Sequence, residues 1–308
     1  MRMGKRVLVI GSTCVDVIIR VDHLPHTEEN LHPAGQRFSV GGCAYNTANI
    51  LGRGGADTVF VTPVGLRGVY GPYLKPLLEK QPWIRPVYLE NEENGCCYCL
   101  VEPDGERTFL SIHGAEYSFS SRWMEFCGSQ HFDYAYVCGL EIEEKTGDEL
   151  ITWLSRAHIG TIMYSPGPRG MNIPLEKTER LLSLHPMLHL NRREALQAGN
   201  SRELPDALEN LRRRTHNTVI ATLGADGAVI ADKNGKQTAV PGVQVSHIAD
   251  TIGAGDAHAG ALLLGLSKGL QQEQAVAFAN RAAAEAVMQE GATLSEEAFG
   301  RVMLFLPV

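Results

Sequence analysis

Short apolar runs recur along the chain and alternate with longer segments in which apolar residues repeat with helical spacing. The apolar runs lie at residues 7–10, 58–61, 134–137, 161–164, 187–190 and 219–223. The helical patterns lie at residues 44–51, 147–157, 175–184, 204–214, 257–266 and 274–289. Strands that alternate with helices form βαβ units, in which a parallel sheet is buried on both faces. The pattern therefore predicts an α/β fold with a doubly wound, mostly parallel sheet flanked by helices.

Two segments, residues 15–40 and 95–112, depart from this pattern because β-branched residues there mix with charged ones. Within the second segment, a turn sequence at residues 102–105 separates two strand patterns and predicts an antiparallel hairpin. Strands inserted into a doubly wound core would form a small β-strand lid over the carboxyl edge of the sheet, where open α/β sheets bind ligands. The length of 308 residues allows one large α/β domain or two smaller ones, with a lid from about 15–40 and 95–112.

Composition and charge narrow the classes of partner. Of the 308 residues, 44% are hydrophobic and 20% are charged, as in a globular protein, and the net charge is −7. Because no basic run is interleaved with aromatic residues, we do not expect nucleic acid as a partner. No apolar run has the length of a membrane span, and the first run is too short for the core of a signal peptide. We expect a cytoplasmic protein that binds no membrane.

The seven cysteines are scattered, and their odd number argues against a disulfide framework. The cluster Cys96-Cys97-Tyr98-Cys99 lacks a second ligand pair at zinc-like spacing and lies in a segment with a strand pattern. We therefore interpret the cysteines as small structural side chains.

The sequence Asp-Thr-Ile-Gly-Ala-Gly-Asp at residues 250–256 is the most informative segment for chemistry. Its small residues let a ligand approach the backbone, and the helical pattern after it predicts a loop that opens into a helix. Such a helix start directs free N–H groups and the positive end of the helix dipole at an anion. The carboxylate of Asp256 at the same point is suited to accept a proton from a hydroxyl group. An anion cradle beside a base is typical of phosphoryl transfer to an alcohol, although an ordinary glycine-rich turn with an Asp cap also fits.

Two positions near the start of the chain suit an acceptor for such a transfer. Asp16 follows the first strand, where its carboxylate can accept hydrogen bonds from paired hydroxyl groups. A Gly-Gly turn at Gly41 and Gly42 leads into a helix that carries the amide of Asn46. Each has a simpler explanation, a surface charge on a strand and a turn at a helix start.

Two later positions suit a nucleotide. Asn191 and Glu194 follow an apolar strand and can face phosphates and a hydrated Mg²⁺, or act only as a helix cap and a first-turn acid. The turn that contains Thr222, Gly224 and Gly227 ends another strand, and it either borders a nucleotide or is only a hairpin.

Together, and in this order, these elements resemble the PfkB/ribokinase family of sugar and nucleoside kinases over nearly the whole chain. The matching elements are the early strand with Asp16, the Gly-Gly-x-x-x-Asn turn, the Asn-x-x-Glu element, the Thr-x-Gly turn and the Asp-Thr-x-Gly-Ala-Gly-Asp signature. The hairpin sequence at residues 96–111 looks most like that of a bacterial group of uncharacterised sugar kinases. The resemblance implies a single ribokinase-like domain over residues 1–308 and ATP-dependent phosphorylation of a primary alcohol.

The resemblance also implies roles for individual residues. Asp256 would be the general base for the acceptor hydroxyl. The backbone N–H groups of the anion hole would come from Gly253, Ala254 and Gly255. The residues that would hold the hydroxyl groups of the acceptor are Asp16, Gly42, Asn46 and Glu141. The residues that would contact ATP are Asn191, Glu194, Thr222, Gly224, Gly227 and, beside the adenine, Asn280.

The same resemblance implies ions beside the nucleotide. Glu194 would hold Mg²⁺ through water. Asp250 and the carbonyl of Ile252 match two ligands of a monovalent cation, so potassium activation is a hypothesis. Family members also suggest a homodimer formed through the lid, whose outer face carries apolar side chains such as Val17, Ile19, Tyr98 and Leu100.

The chain departs from ribokinases at the Gly-Gly turn, where Cys43 replaces a lysine and the next residues are Ala44 and Tyr45. The acceptor pocket is therefore expected to lose a cation and gain an aromatic ring, which favours another furanose, a keto-sugar or a nucleoside over ribose. Arg107 in the lid is the nearest candidate for contact with a substrate phosphate.

We therefore predict a sugar kinase, with a nucleoside kinase, including the pseudouridine type, as the enzymatic alternative. A sensor of sugars or nucleotides on a kinase fold is the alternative outside enzymes, because fold alone does not determine function. A dinucleotide-binding oxidoreductase is excluded, because the first strand is followed by Gly11-Ser12-Thr13-Cys14 rather than by a G-x-G-x-x-G sequence.

Overall fold

A computed structural model describes residues 4–33, 35–103 and 106–306. The strands of these residues are β1 Arg6–Ile10, β2 Cys14–Arg20, β3 Gly35–Gly41, β4 Asp57–Arg67, β5 Ile84–Glu93, β6 Cys96–Val101, β7 Arg107–Ile112, β8 Phe132–Cys138, β9 Ile159–Ser165, β10 Met187–Asn191, β11 Val219–Thr222, β12 Ala228–Ala231 and β13 Gln237–Val240. The α-helices are α1 Cys43–Arg53, α2 Tyr70–Leu78, α3 Gly139–Glu143, α4 Gly147–Leu154, α5 Leu175–Leu182, α6 Arg192–Ala198, α7 Leu204–Thr215, α8 Ala254–Ser267, α9 Gln272–Val287 and α10 Glu296–Met303.

The main sheet has the strand order β13-β12-β11-β10-β9-β8-β1-β4-β5. The strands from β11 to β5 pair in parallel, and β12 and β13 continue the sheet as antiparallel strands. Each of the six apolar runs is a strand of this sheet, as predicted. The pattern did not reveal β5, because this edge strand contains a proline and many exposed polar residues.

The sheet is covered on both faces, as the alternation of strands and helices predicted. Along β1, Val7 and Val9 join a core cluster that includes residues of α1, α8 and α9. Leu8 and Ile10 point to the opposite face and join a second cluster with residues of α4, α5 and α7. The carboxyl ends of the parallel strands are therefore held at one edge by packing on both sides. No helix within the described ranges is long and apolar enough to cross a bilayer.

The four-stranded lid has the order β3-β2-β6-β7, and its segments match those predicted. Strand β2 pairs antiparallel with β3 but parallel with β6, and β6 and β7 form the expected hairpin. Two residues of the predicted hairpin turn, 104 and 105, lie outside the described residues.

The outer face of the lid is partly covered within the chain itself. Val17 was expected to be exposed there, but it is only 2% exposed and belongs to the main core. The prediction was wrong because α2 packs over this part of the lid, where the hydroxyls of Tyr70 and Tyr98 lie 3.2 Å apart. The exposed large apolar side chains on that face are instead Phe38, Leu110 and Ile112. Pairing of two copies through the lid stays a prediction.

Candidate active site

A cavity of about 480 Å³ lies between the lid and the carboxyl edge of the sheet. Its wall includes Cys43, Cys97, Phe109, Ser111, His113, Tyr117, Tyr136, Cys138, Ser165, Arg169, His189, Asn191, Glu194, Thr222, Gly255 and Asp256. Residues from the lid, the sheet edge and the start of α8 thus surround one volume, which we call the acceptor cavity. Its size suits a small polar molecule.

The backbone at the start of α8 has the conformation that the glycine-rich sequence indicated. Gly253 caps the helix with a φ of 74°, in the left-handed region that favours glycine. A Cβ atom at Gly253 would lie 2.2 Å from the carbonyl oxygen of Ala292, whereas a Cβ atom at Gly255 would meet no atom within 4 Å. The first turn of a helix leaves N–H groups without partners inside the helix. The N–H of Ala254 donates to the carbonyl oxygen of Thr251 at 3.4 Å, which is long for such a bond, and the helix start borders open space at Gly255.

Asp256 lies in this first turn of α8, and its side chain contacts α1, the helix that follows the Gly41–Gly42 turn. Its Oδ2 accepts a hydrogen bond from Nδ2 of Asn46 on α1 at 2.8 Å. Burial raises the pKa of Asp256 to about 6, while the Asn46 bond lowers it and the nearby carboxylates Asp16 and Glu141 raise it. Asp256 is thus mostly ionised at neutral pH and more basic than an ordinary carboxylate, which suits a general base.

Asp16 is the second carboxylate near the cavity. Gly41 lies beside it, and a Cβ atom there would lie 2.1 Å from Oδ2 of Asp16. Gly42 has a φ of 103°, and a Cβ atom there would come within 2.8 Å of the carbonyl oxygen of Ser12. The glycine pair therefore makes room for the carboxylate and for the preceding loop. Burial raises the pKa of Asp16 to about 6.

Asn191 and Glu194 lie at the start of α6, where they border the acceptor cavity. They form a complete capping box at the start of α6, in which each residue accepts a hydrogen bond from the backbone N–H of the other. The carboxylate of Glu194 also accepts a bond from the Asn191 amide at 2.7 Å. The capping interpretation of this element is confirmed, and both side chains still border the cavity.

A second cavity, of about 250 Å³, lies on the other side of the α8 start, and we call it the nucleotide cavity. Thr222, Gly224, Gly227 and Asn280, four of the residues expected to contact ATP, border it together, and their contact with ATP stays a prediction. Much of its remaining wall is small or apolar: Ala225, Gly242, Val243, Val245, Ile248, Ala283, Ala284 and Val287. Thr222 and Gly255 line both cavities, so the two volumes meet at the glycine-rich helix start.

Gly227 shapes the nucleotide cavity through its backbone. Its φ is 90°, and a Cβ atom there would lie 2.2 Å from the carbonyl oxygen of Val240. The turn around it also joins the antiparallel strands β11 and β12. The turn is therefore a hairpin that also borders this cavity, and its contact with a nucleotide stays a prediction.

A model described as the pfkB family carbohydrate kinase matches residues 4–298 of the sequence. The chain belongs to this family. It is 32% identical over 291 residues to the uncharacterized sugar kinase YegV of Escherichia coli, covering 92% of this chain and 89% of that protein.

Among solved structures, the fold is similar to the ribokinase of Thermotoga maritima, with a TM-score of 0.84, 22% identity and coverage of 97% of this chain and 99% of that one. It is also similar to the ribokinase of Arabidopsis thaliana, solved with ribose and ATP, with a TM-score of 0.79, 18% identity and coverage of 98% and 99%. The ribokinase-like fold predicted from the sequence is confirmed. By its family, the chain is a sugar kinase.

In this PfkB kinase, Glu141 lies beneath the acceptor cavity and is 2% exposed. It accepts hydrogen bonds from the backbone N–H of Ser12 at 2.8 Å and from the Cys138 thiol at 2.6 Å. Burial raises its pKa, and the bonds from Cys138 and Ser12 lower it. Glu141 thus ties the loop after β1 to Cys138, which itself lines the cavity.

Asp250 joins the site to the lid. Its carboxylate accepts hydrogen bonds from Arg107 of β7 at 2.7 Å, from the N–H of Ile252 at 2.8 Å and from the N–H of Gly291 at 2.9 Å. The side chain of Ile252 packs against a small lid cluster of Ile18, Cys99 and Val101. The tip of the lid therefore contacts the loop that precedes α8, and Arg107, the candidate for contact with a substrate phosphate, is paired with Asp250.

The aromatic and positively charged residues of the acceptor cavity differ from those expected at the Gly-Gly turn. Tyr45 does not line the acceptor cavity: its ring packs against the main core, 6.5 Å from the ring of Phe60. It points inward because α1 turns this position toward the sheet. The aromatic side chains of the wall are instead those of Phe109, Tyr117 and Tyr136, and Arg169 is its positively charged residue. No local pattern indicates these residues, because their strands and loops meet only in the folded chain.

The shifted carboxyl groups predict how activity depends on pH. We expect kcat/KM to fall below a midpoint near pH 6, because protonated Asp256 cannot accept the hydroxyl proton. Asp16→Asn is the control, since it removes the other carboxyl group with a pKa of about 6 and leaves the limb of Asp256 in the profile. A profile that is flat from pH 5 to pH 8 would contradict the assignment of Asp256.

The same shift predicts an opposite effect on stability. The raised pKa of Asp256 means that the folded state favours its neutral form over the ionised one. The free energy of unfolding should therefore fall as the pH rises through about 6. Asp256→Asn should therefore have a higher Tm than the wild type at pH 8, and the gap should close at pH 4. Thermal unfolding at both pH values measures this, and an equal gap at both would refute the shift.

Proposed function

We propose that this protein transfers the γ-phosphoryl group of ATP to the primary alcohol of a small sugar, with Asp256 as the general base. One observation carries the proposal. Asp256 lies in the first turn of α8, at the junction of an acceptor cavity and a nucleotide cavity that share Gly255. A base at the junction of two such cavities is what direct transfer between two bound molecules requires.

The acceptor sugar binds in the acceptor cavity under the lid. Asp16 and the amide of Asn46 hold its hydroxyl groups, and Gly42 keeps the backbone turn open beside them. The carboxylate of Asp256, which accepts hydrogen bonds from Asn46 and from the Cys43 thiol, receives the hydroxymethyl group of the sugar. Glu141 acts from beneath the cavity by holding the Ser12 loop.

ATP occupies the nucleotide cavity. The glycine-rich turn and the small apolar wall suit a planar base and ribose, and Asn280 lies beside the base. The phosphates extend along Thr222, Gly224 and Gly227 toward the N–H groups of Gly253, Ala254 and Gly255. The carboxylate of Glu194, with Asn191 beside it, faces this path and fits a hydrated Mg²⁺, which supplies positive charge to the phosphate oxygens when bound.

In the reaction, the hydroxyl oxygen of the sugar attacks the γ-phosphorus while Asp256 takes the hydroxyl proton. ADP leaves on the side of the phosphorus opposite to the sugar. The backbone N–H groups of the α8 start receive the charge that spreads over the phosphoryl oxygens. The docked lid excludes water from the acceptor cavity and so limits hydrolysis of ATP.

Two rival functions are weaker. A sensor on a kinase fold would not need the base, the glycine-rich helix start and the Asn191–Glu194 element together. Tyr45 packs in the core and offers no stacking surface to a nucleoside, but Phe109 and Tyr117 line the cavity and supply one. We favour a sugar because the matching family is described as carbohydrate kinases.

The test is acceptor-dependent release of ADP from ATP and Mg²⁺ over a panel of pentoses, hexoses, keto-sugars, sugar acids and nucleosides. The proposal predicts one strong acceptor among the sugars. A nucleoside as the strong acceptor would replace the sugar by the alternative substrate class. Binding of ATP without release of ADP for any acceptor would favour the sensor.

The ion pair between Arg107 and Asp250 predicts how the lid supports turnover. Its side chains are 15% and 1% exposed, so Arg107→Gln leaves a buried carboxylate without its cation. We expect a loss of about 3 kcal/mol in the free energy of unfolding, and a fall of tenfold or more in kcat/KM for the acceptor as the lid tip loosens. Urea unfolding and acceptor kinetics measure the two effects.

The matched control is Arg20→Gln, which removes a lid-to-body pair with Glu290 whose side chains are 56% and 50% exposed. Exposed pairs contribute about 0–1 kcal/mol, so this variant should behave almost like the wild type. Equal losses in the two variants would show that burial of the Arg107 pair has no special role.

Potassium activation stays a prediction that the same variant can test. Arg107 already supplies a positive charge at Asp250, one of the two expected ligands. We therefore expect any gain in turnover from potassium, relative to a large organic cation, to be greatest in Arg107→Gln. Equal rates in both salts for wild type and variant would reject potassium activation.

A further inference from the structure

A chain of buried hydrogen bonds connects the acceptor cavity to the nucleotide cavity. Nδ1 of His189 on β10 lies 3.4 Å from Oγ of Ser165, and its Nε2 lies 2.9 Å from Nδ1 of His258 on α8. Nε2 of His258 in turn lies 3.1 Å from Oδ1 of Asn280 on α9. Ser165 and His189 line the acceptor cavity, and His258 and Asn280 line the nucleotide cavity.

The direction of this chain is fixed at its Asn280 end. Nδ2 of Asn280 donates to the carbonyl oxygens of Val240 at 3.3 Å and Pro241 at 3.0 Å. Both of its N–H groups are thereby used, so the atom that faces His258 is the carbonyl oxygen, an acceptor. Nε2 of His258 must therefore carry the hydrogen.

The remaining donors and acceptors follow in order. Burial lowers the pKa of both histidines, to about 4 for His258, so each ring is neutral and has one donor and one acceptor nitrogen. Nδ1 of His258 accepts, which requires a hydrogen on Nε2 of His189. Nδ1 of His189 then accepts the hydroxyl hydrogen of Ser165. What Ser165 has left for the cavity is its oxygen lone pairs.

We infer that Ser165 selects the acceptor substrate by accepting a hydrogen bond from one of its hydroxyl groups, and that the His189–His258–Asn280 chain fixes this orientation. The inference deepens the proposed function and relies on it for the nature of the ligand. A substrate with a hydroxyl at the position that faces Ser165 gains a bond. A carbonyl, a carboxylate or a fluorine there faces a lone pair and is disfavoured.

The orientation can be measured without any substrate. In protein labelled with ¹⁵N-histidine, long-range ¹H–¹⁵N correlation at neutral pH distinguishes the two neutral forms of each ring. We expect both His189 and His258 to carry the hydrogen on Nε2, with their signals assigned by loss in His189→Gln and His258→Gln. A hydrogen on Nδ1 of either ring would overturn the inference.

The selectivity is measured with the best acceptor of the sugar panel and its singly deoxygenated and fluorinated analogues. For one hydroxyl position, the deoxy and fluoro analogues should both have a KM about tenfold or more above that of the parent. Ser165→Ala should abolish this difference and leave the KM for ATP unchanged. The inference would be overturned if, at every position where removal of the hydroxyl raises the KM, the fluoro analogue had the same KM as the parent sugar.

A variant on the nucleotide side tests the connection between the two cavities. In His258→Phe, His189 loses the acceptor that holds its hydrogen on Nε2, so the preference of Ser165 for a hydroxyl over fluorine should weaken. His258→Gln, which keeps polar atoms at this position, should show a smaller effect, and thermal unfolding shows whether both variants fold. Unchanged discrimination in folded His258→Phe would contradict the connection. If no acceptor is phosphorylated, the proposed function fails, whereas the histidine spectra still decide the orientation.

Discussion

Asp256→Asn is expected to lower kcat by about two orders of magnitude or more while leaving the KM for ATP near its wild-type value. The substituted amide has the shape of the carboxylate, and its oxygen can still accept the bond that Nδ2 of Asn46 now gives to Oδ2. Binding should therefore persist, whereas the amide cannot take up the hydroxyl proton. Steady-state kinetics with the best acceptor measure both constants.

The control for this prediction is Asp16→Asn, which changes the second carboxylate near the cavity in the same way. Asp16 is proposed to hold the acceptor rather than to take its proton, so its loss should raise the KM for the acceptor more than it lowers kcat. A near-normal kcat in Asp256→Asn would contradict the role of Asp256 as general base. The same kinetic pattern in both variants would show that the two carboxylates do not have separate roles.

Gly253→Ala is expected to have the largest combined effect on stability and turnover. The left-handed backbone at this position costs a residue with a Cβ atom about 1–2 kcal/mol. The new atom would also lie 2.2 Å from the carbonyl oxygen of Ala292, so the two segments must separate, which adds at least about 1 kcal/mol. The displaced helix start should lose N–H contacts to the phosphoryl group, and kcat should fall by about 10²–10³-fold.

Gly255→Ala is the matched control, because it adds the same methyl group two residues later in the same helix start. A Cβ atom there meets no atom of the protein within 4 Å, and alanine is the better helix former. Its Tm should be equal to or above that of the wild type, while the methyl group projecting into the space between the cavities should lower turnover. If Gly253→Ala unfolds no more readily than Gly255→Ala, the backbone at Gly253 is not strained by substitution.

The core of the fold was predictable because buried parallel strands need apolar residues at consecutive positions. Every such run became a strand, and the lid followed from its mixed β-branched and charged segments. Strand β5 escaped prediction because an edge strand tolerates proline and exposed acidic residues. The inward direction of Val17 and Tyr45 also escaped, because it depends on α2 over the lid and on how α1 packs against the sheet.

The candidate site was predictable where chemistry is local in sequence. The helix start at Gly253 and the Asn191–Glu194 box each consist of neighbouring residues, so a short pattern identifies them. The Arg107–Asp250 pair and the Ser165–His189–His258–Asn280 chain join residues far apart in sequence. A single isolated histidine or arginine carries no such signal before the strands that bear it are brought together.

The most direct test of the central claim is the identity of the phosphorylated product formed from ATP and the best acceptor. We expect a phosphate monoester whose phosphorus couples to the two hydrogens of one CH₂ group in NMR spectra. One ADP should form for each product molecule. Inorganic phosphate as the only product, or a phosphate on a ring hydroxyl, would contradict transfer to a primary alcohol.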